Sequence, residues 1–324
     1  MSDIALWREI QRNNFTDWQK LLSFLNFSVS EAEHLILPHP KFSLNLPKRL
    51  AEKIEKGNWE DPVLRQFIPT VQELKPSPLF VLDPVGDSAS RSKPKLLHKY
   101  HGRALLLCTS ACAMHCRFCF RQHFDYETED KLFLEELKVI AGDSSISEIL
   151  LSGGDPLSLS DPQLQHLLGE LEGIPHLKRI RFHTRFPMGI PERIDSSFIR
   201  LLSSCRKQVI FVIHCNHPQE FDKDIFNHLK KVQQLGIPIF TSSVLLRGIN
   251  DDVETLKNLF ELLVDHGIVP YYLNQLDRVQ GAAHFEVPEE EGKLLMNRLR
   301  ALLPGYAIPK YVKEIAGQSS KSLI

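Results

Sequence analysis

Between residues 104 and 275 the chain carries six short apolar runs: ALLLC (104–108), EILLSGG (148–154), IRFHT (180–184), VIFVIHC (209–215), IPIFTSSVLL (237–246) and IVPYYLNQ (268–275). Runs of this length read as strands, and amphipathic helical patterns lie between them. In EFDKDIFNHLKKVQQLG, Phe221, Ile225, Leu229, Val232 and Leu235 share one face and Gly236 can cap the end. In DDVETLKNLFELLVDHG, Asp251 or Asp252 can begin a helix that buries Val253, Leu256, Phe260 and Leu263 and stops at Gly267. Strand, helix and strand repeated in this way demand right-handed crossovers and a parallel sheet. Six units predict an α/β fold, an incomplete (β/α)6 barrel, with its site on the loops that follow the strands.

Around that barrel, expected over residues 96–285, the chain has two smaller parts. Residues 1–95 alternate helical patches (17–27 and 46–56) with Pro-rich connections and read as a helical appendage, and residues 286–324 form a short C-terminal segment. With 39 basic against 40 acidic residues, there is no electrostatic reason to expect a nucleic-acid or membrane partner, so small ligands are expected. The six cysteines do not make a disulfide framework in a chain of 324 residues and suggest a reducing compartment, by default the cytoplasm. The N-terminal text lacks a basic start followed by an apolar core, and no apolar run approaches the roughly 18 residues of a membrane span.

Three of the cysteines, Cys112, Cys116 and Cys119, crowd into CAMHCRFC, directly after the first strand and with Phe118 before the last of them. Three is the wrong number for a closed site, because structural zinc and an ordinary four-iron cluster each take four protein ligands. A cube held by three thiolates leaves one iron open to chelate a small molecule. The alternative is half a zinc site completed by His115, His123, Cys205 or Cys215. The spacing with its aromatic resembles the signature of the radical S-adenosylmethionine enzymes, in which the open iron binds the amino and carboxylate groups of S-adenosylmethionine.

The resemblance narrows further. LLHKYHGRALLLCTSACAMHCRFCFRQHF, ILLSGGDPL, IRFHTRFPMGIPERI, HCNHPQE, SVLLRGIND and QLDRVQGAAHF occur in the order found in the lysine 2,3-aminomutases, over essentially the whole barrel. KGNWEDPVLRQFIP, FVLDPVGD and the short C-terminus resemble the shorter branch of that family, whose (R)-β-lysine is attached to translation elongation factor P. The resemblance implies a 4Fe-4S cluster, S-adenosyl-L-methionine and pyridoxal 5′-phosphate as cofactors and free L-lysine as substrate. It also implies a reductant such as flavodoxin or ferredoxin, and a functional link to elongation factor P and its lysyl-tRNA-synthetase-like ligase. Free β-lysine metabolism, or a radical-enzyme fold that has become a non-catalytic scaffold, are the other functions considered.

The same resemblance assigns residues. Cys112, Cys116 and Cys119 hold the cluster; Ser152, Gly153, Gly154 and Asp155 meet the methionine amino group, although a Gly-Gly-Asp is also ordinary turn chemistry; His214 lies near S-adenosylmethionine. Lys321, in GQSSKSLI, is the Schiff-base lysine, where position alone would suggest a solvated chain end. Tyr100 and Arg103 surround the cofactor, while Lys99, an arginine in longer members, taken alone reads as a basic loop residue in solvent. Arg121 clamps the substrate carboxylate, with phosphate contact or a surface charge as its alternatives, and Asp277 and Glu314 hold the distal ammonium. Glu314 replaces an aspartate of the longer members, with a helix-surface glutamate as the alternative reading, and Ser242 replaces a glutamine whose span it cannot match. The C-terminal zinc-binding cysteines of the longer members have no counterpart, which leaves the oligomeric arrangement open.

Overall fold

A computed structural model describes residues 5–127 and 132–324. Ten strands form one sheet in sequence order: β1 (Arg91–Lys93), β2 (Leu96–Tyr100), β3 (Arg103–Thr109), β4 (Glu148–Gly153), β5 (Arg179–Thr184), β6 (Gln208–His214), β7 (Ile239–Val244), β8 (Val269–Asn274), β9 (Lys310–Lys313) and β10 (Ser322–Leu323). From β3 to β9 every pairing is parallel, and β3 to β8 are the six predicted strands. Antiparallel pairs finish both ends, β1–β2–β3 on one side and β9–β10 on the other. The two outer strands do not pair, so the barrel is incomplete as expected.

Side-chain chemistry explains the connecting helices. Asp222 accepts from the backbone N–H of Ile225 and opens the helix Lys223–Gln233, which buries Ile225, Leu229 and Val232. Asp252 does the same for Val253–Asp265 through Thr255, and Leu256, Leu259, Phe260 and Leu263 are buried. Each fully buried leucine or phenylalanine contributes about 1.5–3 kcal/mol over leaving it exposed. These faces press the helices against the sheet and leave the strand ends free for the site.

The predicted N-terminal helices are shorter than the patches suggested, Trp18–Phe24 and Lys48–Lys53, with Asp17 capping the first through Gln19 and Lys20. The buried residues of the N-terminal region share a continuous apolar core with the sheet: Trp7, Leu21, Leu50 and Phe67 belong with Phe182, Phe186 and Phe211. Trp7 meets Phe186 edge-on with ring centroids 5.5 Å apart. The N-terminal segments therefore also reach the loops at the strand ends.

Candidate active site

The carboxyl ends of the strands surround a cavity of about 530 Å³, lined by every residue that the family resemblance assigned to the cluster, the cofactors or the substrate. The cysteine loop follows β3 and is pinned by the N-terminal region. Asn14 donates to the carbonyl of Ala113 (2.8 Å), Gln11 and Asn45 to that of Cys112 (both 3.3 Å). Arg117, almost fully buried, pairs with Glu73 and donates to the carbonyl of Phe42. From β4 comes a second constraint: Gly154 N–H donates to the carbonyl of Thr109 (2.6 Å) and Asp155 N–H to that of Ala111 (2.8 Å). A Cβ on Gly154 would stand 2.3 Å from the Ala111 oxygen, and one on Gly153, at φ +113°, 2.8 Å from the Thr109 oxygen. The glycine pair is required because two backbones touch there.

The Asp155 carboxylate has a structural partner set. It accepts from the backbone N–H groups of Leu157, Arg185 and Phe186 and from Thr184 Oγ1, tying the ends of β4 and β5 together. Burial nevertheless pushes its pKa up against these hydrogen bonds.

The three thiols face the cavity, and burial pushes all of them up, Cys119 to about 11. Cys116 is also opposed by a cation, Arg185, whose Nη1 lies 2.8 Å from its sulfur. Among the described residues no three His, Cys, Asp or Glu side chains converge as the ligands of a single ion would. The four side chains that could complete a zinc site are elsewhere. His115 stacks on Phe42 and bonds the Ser43 carbonyl, His123 bonds that of Gln280, and neither Cys205 nor Cys215 lines the cavity. Three separate thiols beside an open cavity fit a cluster whose irons are ligated one by one. Bound as thiolates they would give up their protons, and the bonds to iron would offset the cost of burying that charge.

On the opposite wall β8, β9 and β10 converge. Lys321 immediately precedes β10, and pairing of Ser322 with Lys313 and of Leu323 with Val312 fixes it in the wall instead of leaving it in solvent. Its Nζ donates to Asn274 Oδ1 (3.1 Å) and lies 3.3 Å from Glu314. Asn274 in turn donates to Ser242 Oγ (2.9 Å), which ties β8 to β7 beside the lysine. Glu314 accepts from Tyr100 Oη at 2.5 Å. Burial opposes its ionisation, but Lys321, the Tyr100 hydroxyl and Lys99 together hold it below the usual carboxylate range. It is not a helix-surface residue. Asp277, without such donors, is pushed up to about 6 by burial, with Lys321 opposing the shift and Glu314 adding to it. Arg103 lies over the Tyr100 ring at 4.6 Å. An amine, two aromatic rings (Tyr100 and Tyr272) and cations from Arg103 and Arg181 fit a phosphorylated aldehyde such as pyridoxal phosphate.

Between the two walls stands Arg121, buried and paired through Nε with Asp87 Oδ2 at 2.7 Å, with Nη1 3.3 Å from Ser152 Oγ. Asp87 Oδ1 also holds Lys99 at 2.7 Å, so Lys99 is an interior ion-pair partner, correcting its reading as a solvated loop residue. His214, at the end of β6, meets His183 from β5 with nitrogens 3.3 Å apart. Burial, then Arg185, Lys321 and Arg121, lower His214 to about 4, which keeps it neutral. His217 caps the turn Pro218–Glu220 by accepting from the N–H of Gln219. Sequence reasoning missed Asp87, His183, Arg185, Glu220 and Asn274. Only the position of His183, Arg185 and Asn274 at predicted strand ends could have flagged them.

Residues 101–186 match the family described as a 4Fe-4S single cluster domain. The L-lysine 2,3-aminomutase of Haemophilus influenzae is 40% identical over 320 residues, covering 98% of this chain and 95% of that protein. That of Escherichia coli is 40% identical over 311 residues, covering 95% and 91%. The longer L-lysine 2,3-aminomutase of Clostridium subterminale is 31% identical, covering 98% of this chain and 77% of its own. Among solved structures, a radical SAM methyltransferase from Sphaerobacter thermophilus aligns with a TM-score of 0.50 at 19% identity, over 67% of this chain and 68% of that one, a likeness of fold alone. Fold, cysteine loop and relatives define a radical S-adenosylmethionine enzyme with a 4Fe-4S cluster. Within that class the chain belongs to the lysine 2,3-aminomutase family. It is an isomerase, and membership implies the cluster, S-adenosylmethionine and pyridoxal phosphate together.

Proposed function

We propose that this enzyme converts free (S)-α-lysine to (R)-β-lysine in the cytoplasm and so supplies β-lysine for modification of translation elongation factor P. The observation that carries the reading is charge placement: Arg121 and the pair Asp277 and Glu314 line one cavity with Lys321 and the three cysteines. Free lysine offers a carboxylate at one end and an ammonium at the other, whereas a peptide-bound lysine has no carboxylate for Arg121. The cluster with S-adenosylmethionine supplies a radical initiator, and pyridoxal phosphate a covalent hold on the migrating nitrogen. This chain's residues orient the substrate. Arg121 keeps Nη2 for the carboxylate while Asp87 and Ser152 take its other nitrogens, Asp277 and Glu314 receive the distal ammonium, and Lys321 presents its amine beside Glu314. Cys112, Cys116 and Cys119 are the proposed cluster ligands; the Gly153–Gly154 edge and His214 face S-adenosylmethionine.

Sequence identity supports the short branch: 40% to each of the Haemophilus and Escherichia relatives against 31% to each of the longer ones from Fusobacterium nucleatum and Clostridium subterminale. No helix among the described residues is long and apolar enough to cross a membrane. The test is direct. Reduced enzyme with both small cofactors should form β-lysine from (S)-lysine, and deleting the gene should leave elongation factor P unmodified or carrying α-lysine. Formation of β-lysine with unchanged modification of the factor would move the enzyme to free β-lysine metabolism. An intact cluster without rearrangement under any reducing condition would leave a scaffold.

A further inference from the structure

Arg185, the residue after β5, is a buried cation that the reaction as outlined above does not use. Its Nη1 donates to Cys116 Sγ at 2.8 Å, while Nη2 donates to Gln66 Oε1 at 2.6 Å and to Glu220 Oε2 at 2.7 Å. Its Cζ lies 5.0 Å from the centre of the Phe67 ring and 5.5 Å from that of Phe118, the aromatic inside the cysteine motif. Glu220 is fully buried and is itself held by the N–H groups of Asn216 and His217. The guanidinium is thus fixed from the N-terminal region, from the cysteine loop and from the turn after β6, and it cannot withdraw into water. Its Nε–H is buried without a partner, a state that buried donors avoid unless the acceptor belongs to a bound group.

We propose that Arg185 sets the reduction potential of the iron-sulfur cluster through its hydrogen bond to Cys116, with Glu220 holding it in place. When the cluster is reduced it takes one electron from a low-potential one-electron donor such as a flavodoxin or ferredoxin. No bond forms or breaks, no proton moves, and the net charge becomes one unit more negative. A fixed cation at hydrogen-bond distance from a ligand sulfur, in a site screened from water, attracts the more negative state more strongly. Arg185 therefore raises the potential, and Glu220, one residue further out, opposes it in part.

The inference rests on Cys116 being a cluster ligand, which is tested separately by loss of iron in Cys116→Ala. The experiment is a redox titration of the reconstituted protein, followed by electron-spin resonance, on wild type, Glu220→Gln and the charge-neutral double variant Arg185→Gln/Glu220→Gln. The double variant should keep its iron and show an equilibrium constant for reduction about tenfold lower, a midpoint about 59 mV more negative for one electron. Glu220→Gln should move the midpoint the other way. An unchanged midpoint in an iron-replete variant overturns the proposal, and an unchanged midpoint with weakened S-adenosylmethionine binding reassigns Arg185 to that ligand. If the double variant cannot hold iron, Arg185→Lys decides: it keeps the charge that Glu220 needs but not the fork that also reaches Cys116, so the midpoint should fall, and an unchanged midpoint overturns the proposal.

Discussion

Asp87 holds two cations at once, with Oδ2 2.7 Å from Nε of Arg121 and Oδ1 2.7 Å from Nζ of Lys99. Burial opposes its ionisation, but Arg121 and Lys99 outweigh it and keep its pKa below the usual range. A carboxylate lowered on folding contributes stability that is present above its unfolded pKa and lost as pH falls through the folded one, so this contribution survives to acidic pH. Asp87→Asn keeps the shape and removes the charge. It should destabilise the protein by about 3 kcal/mol and, by releasing Arg121, raise KM for lysine about tenfold, with iron content unchanged. Denaturant unfolding and steady-state kinetics check both; an unchanged KM would detach Asp87 from substrate binding.

The glycine pair predicts a backbone effect. With only 2.3 Å between an added Cβ and the Ala111 oxygen, Gly154→Ala must push the cysteine loop away from β4, since neither partner is a flexible side chain. Reconstituted Gly154→Ala should therefore lose cluster iron while its circular dichroism stays near wild type. Gly142→Ala, which meets open space, should keep both. Cys112→Ala, Cys116→Ala and Cys119→Ala should each lose the cluster signal and the activity together.

Lys321 depends on a strand of two residues. Ser322 and Leu323 pair with β9, and the Ile324 N–H donates to the Tyr311 carbonyl at 3.0 Å. Removing residues 322–324 should free Lys321 from Asn274 and Glu314, so borohydride should no longer fix pyridoxal phosphate to it, as in Lys321→Ala. Both variants should keep their iron. Label found on another lysine in the wild type would overturn the assignment.

The parallel strands and their capped helices were legible because each carries its own signal: an apolar run, then Asp222 or Asp252, then a periodic face. The cysteine motif was legible for the same reason. β1, β2, β9 and β10 were not, since runs of two to five residues form only where a neighbouring strand already offers its edge. Asp87 was invisible as a site residue because its meaning lies in a partner 34 positions away; Arg185 and Asn274 showed only their places at strand ends, with their partners 69 and 47 positions away. Asp155 shows the converse: its segment lines the cavity, but its carboxylate is engaged by three backbone donors and Thr184.

Asp277 separates stability from function. Its carboxyl, raised from 3.8 to about 6 by burial, binds its proton more tightly in the folded state than in the unfolded chain. Between those two values the folded state holds more protons, so stability falls as pH rises and stays lower above about 6. A shift of about two units corresponds to about 3 kcal/mol, and Asp277→Asn should recover part of it, unfolding at higher temperature than wild type at pH 7 without ligands. The same charge is what a lysine ammonium needs, so wild-type KM for lysine should fall as pH rises through about 6, where the carboxylate forms. Asp277→Asn should lose that dependence, and Asp277→Ala should lose most activity, roughly 30-fold to several thousand-fold, while both bind iron and pyridoxal phosphate as wild type does. Thermal unfolding against pH, with KM measured over the same range, decides it: a variant no more stable than wild type but still inactive would keep Asp277 as a ligand and reject its unpaired burial.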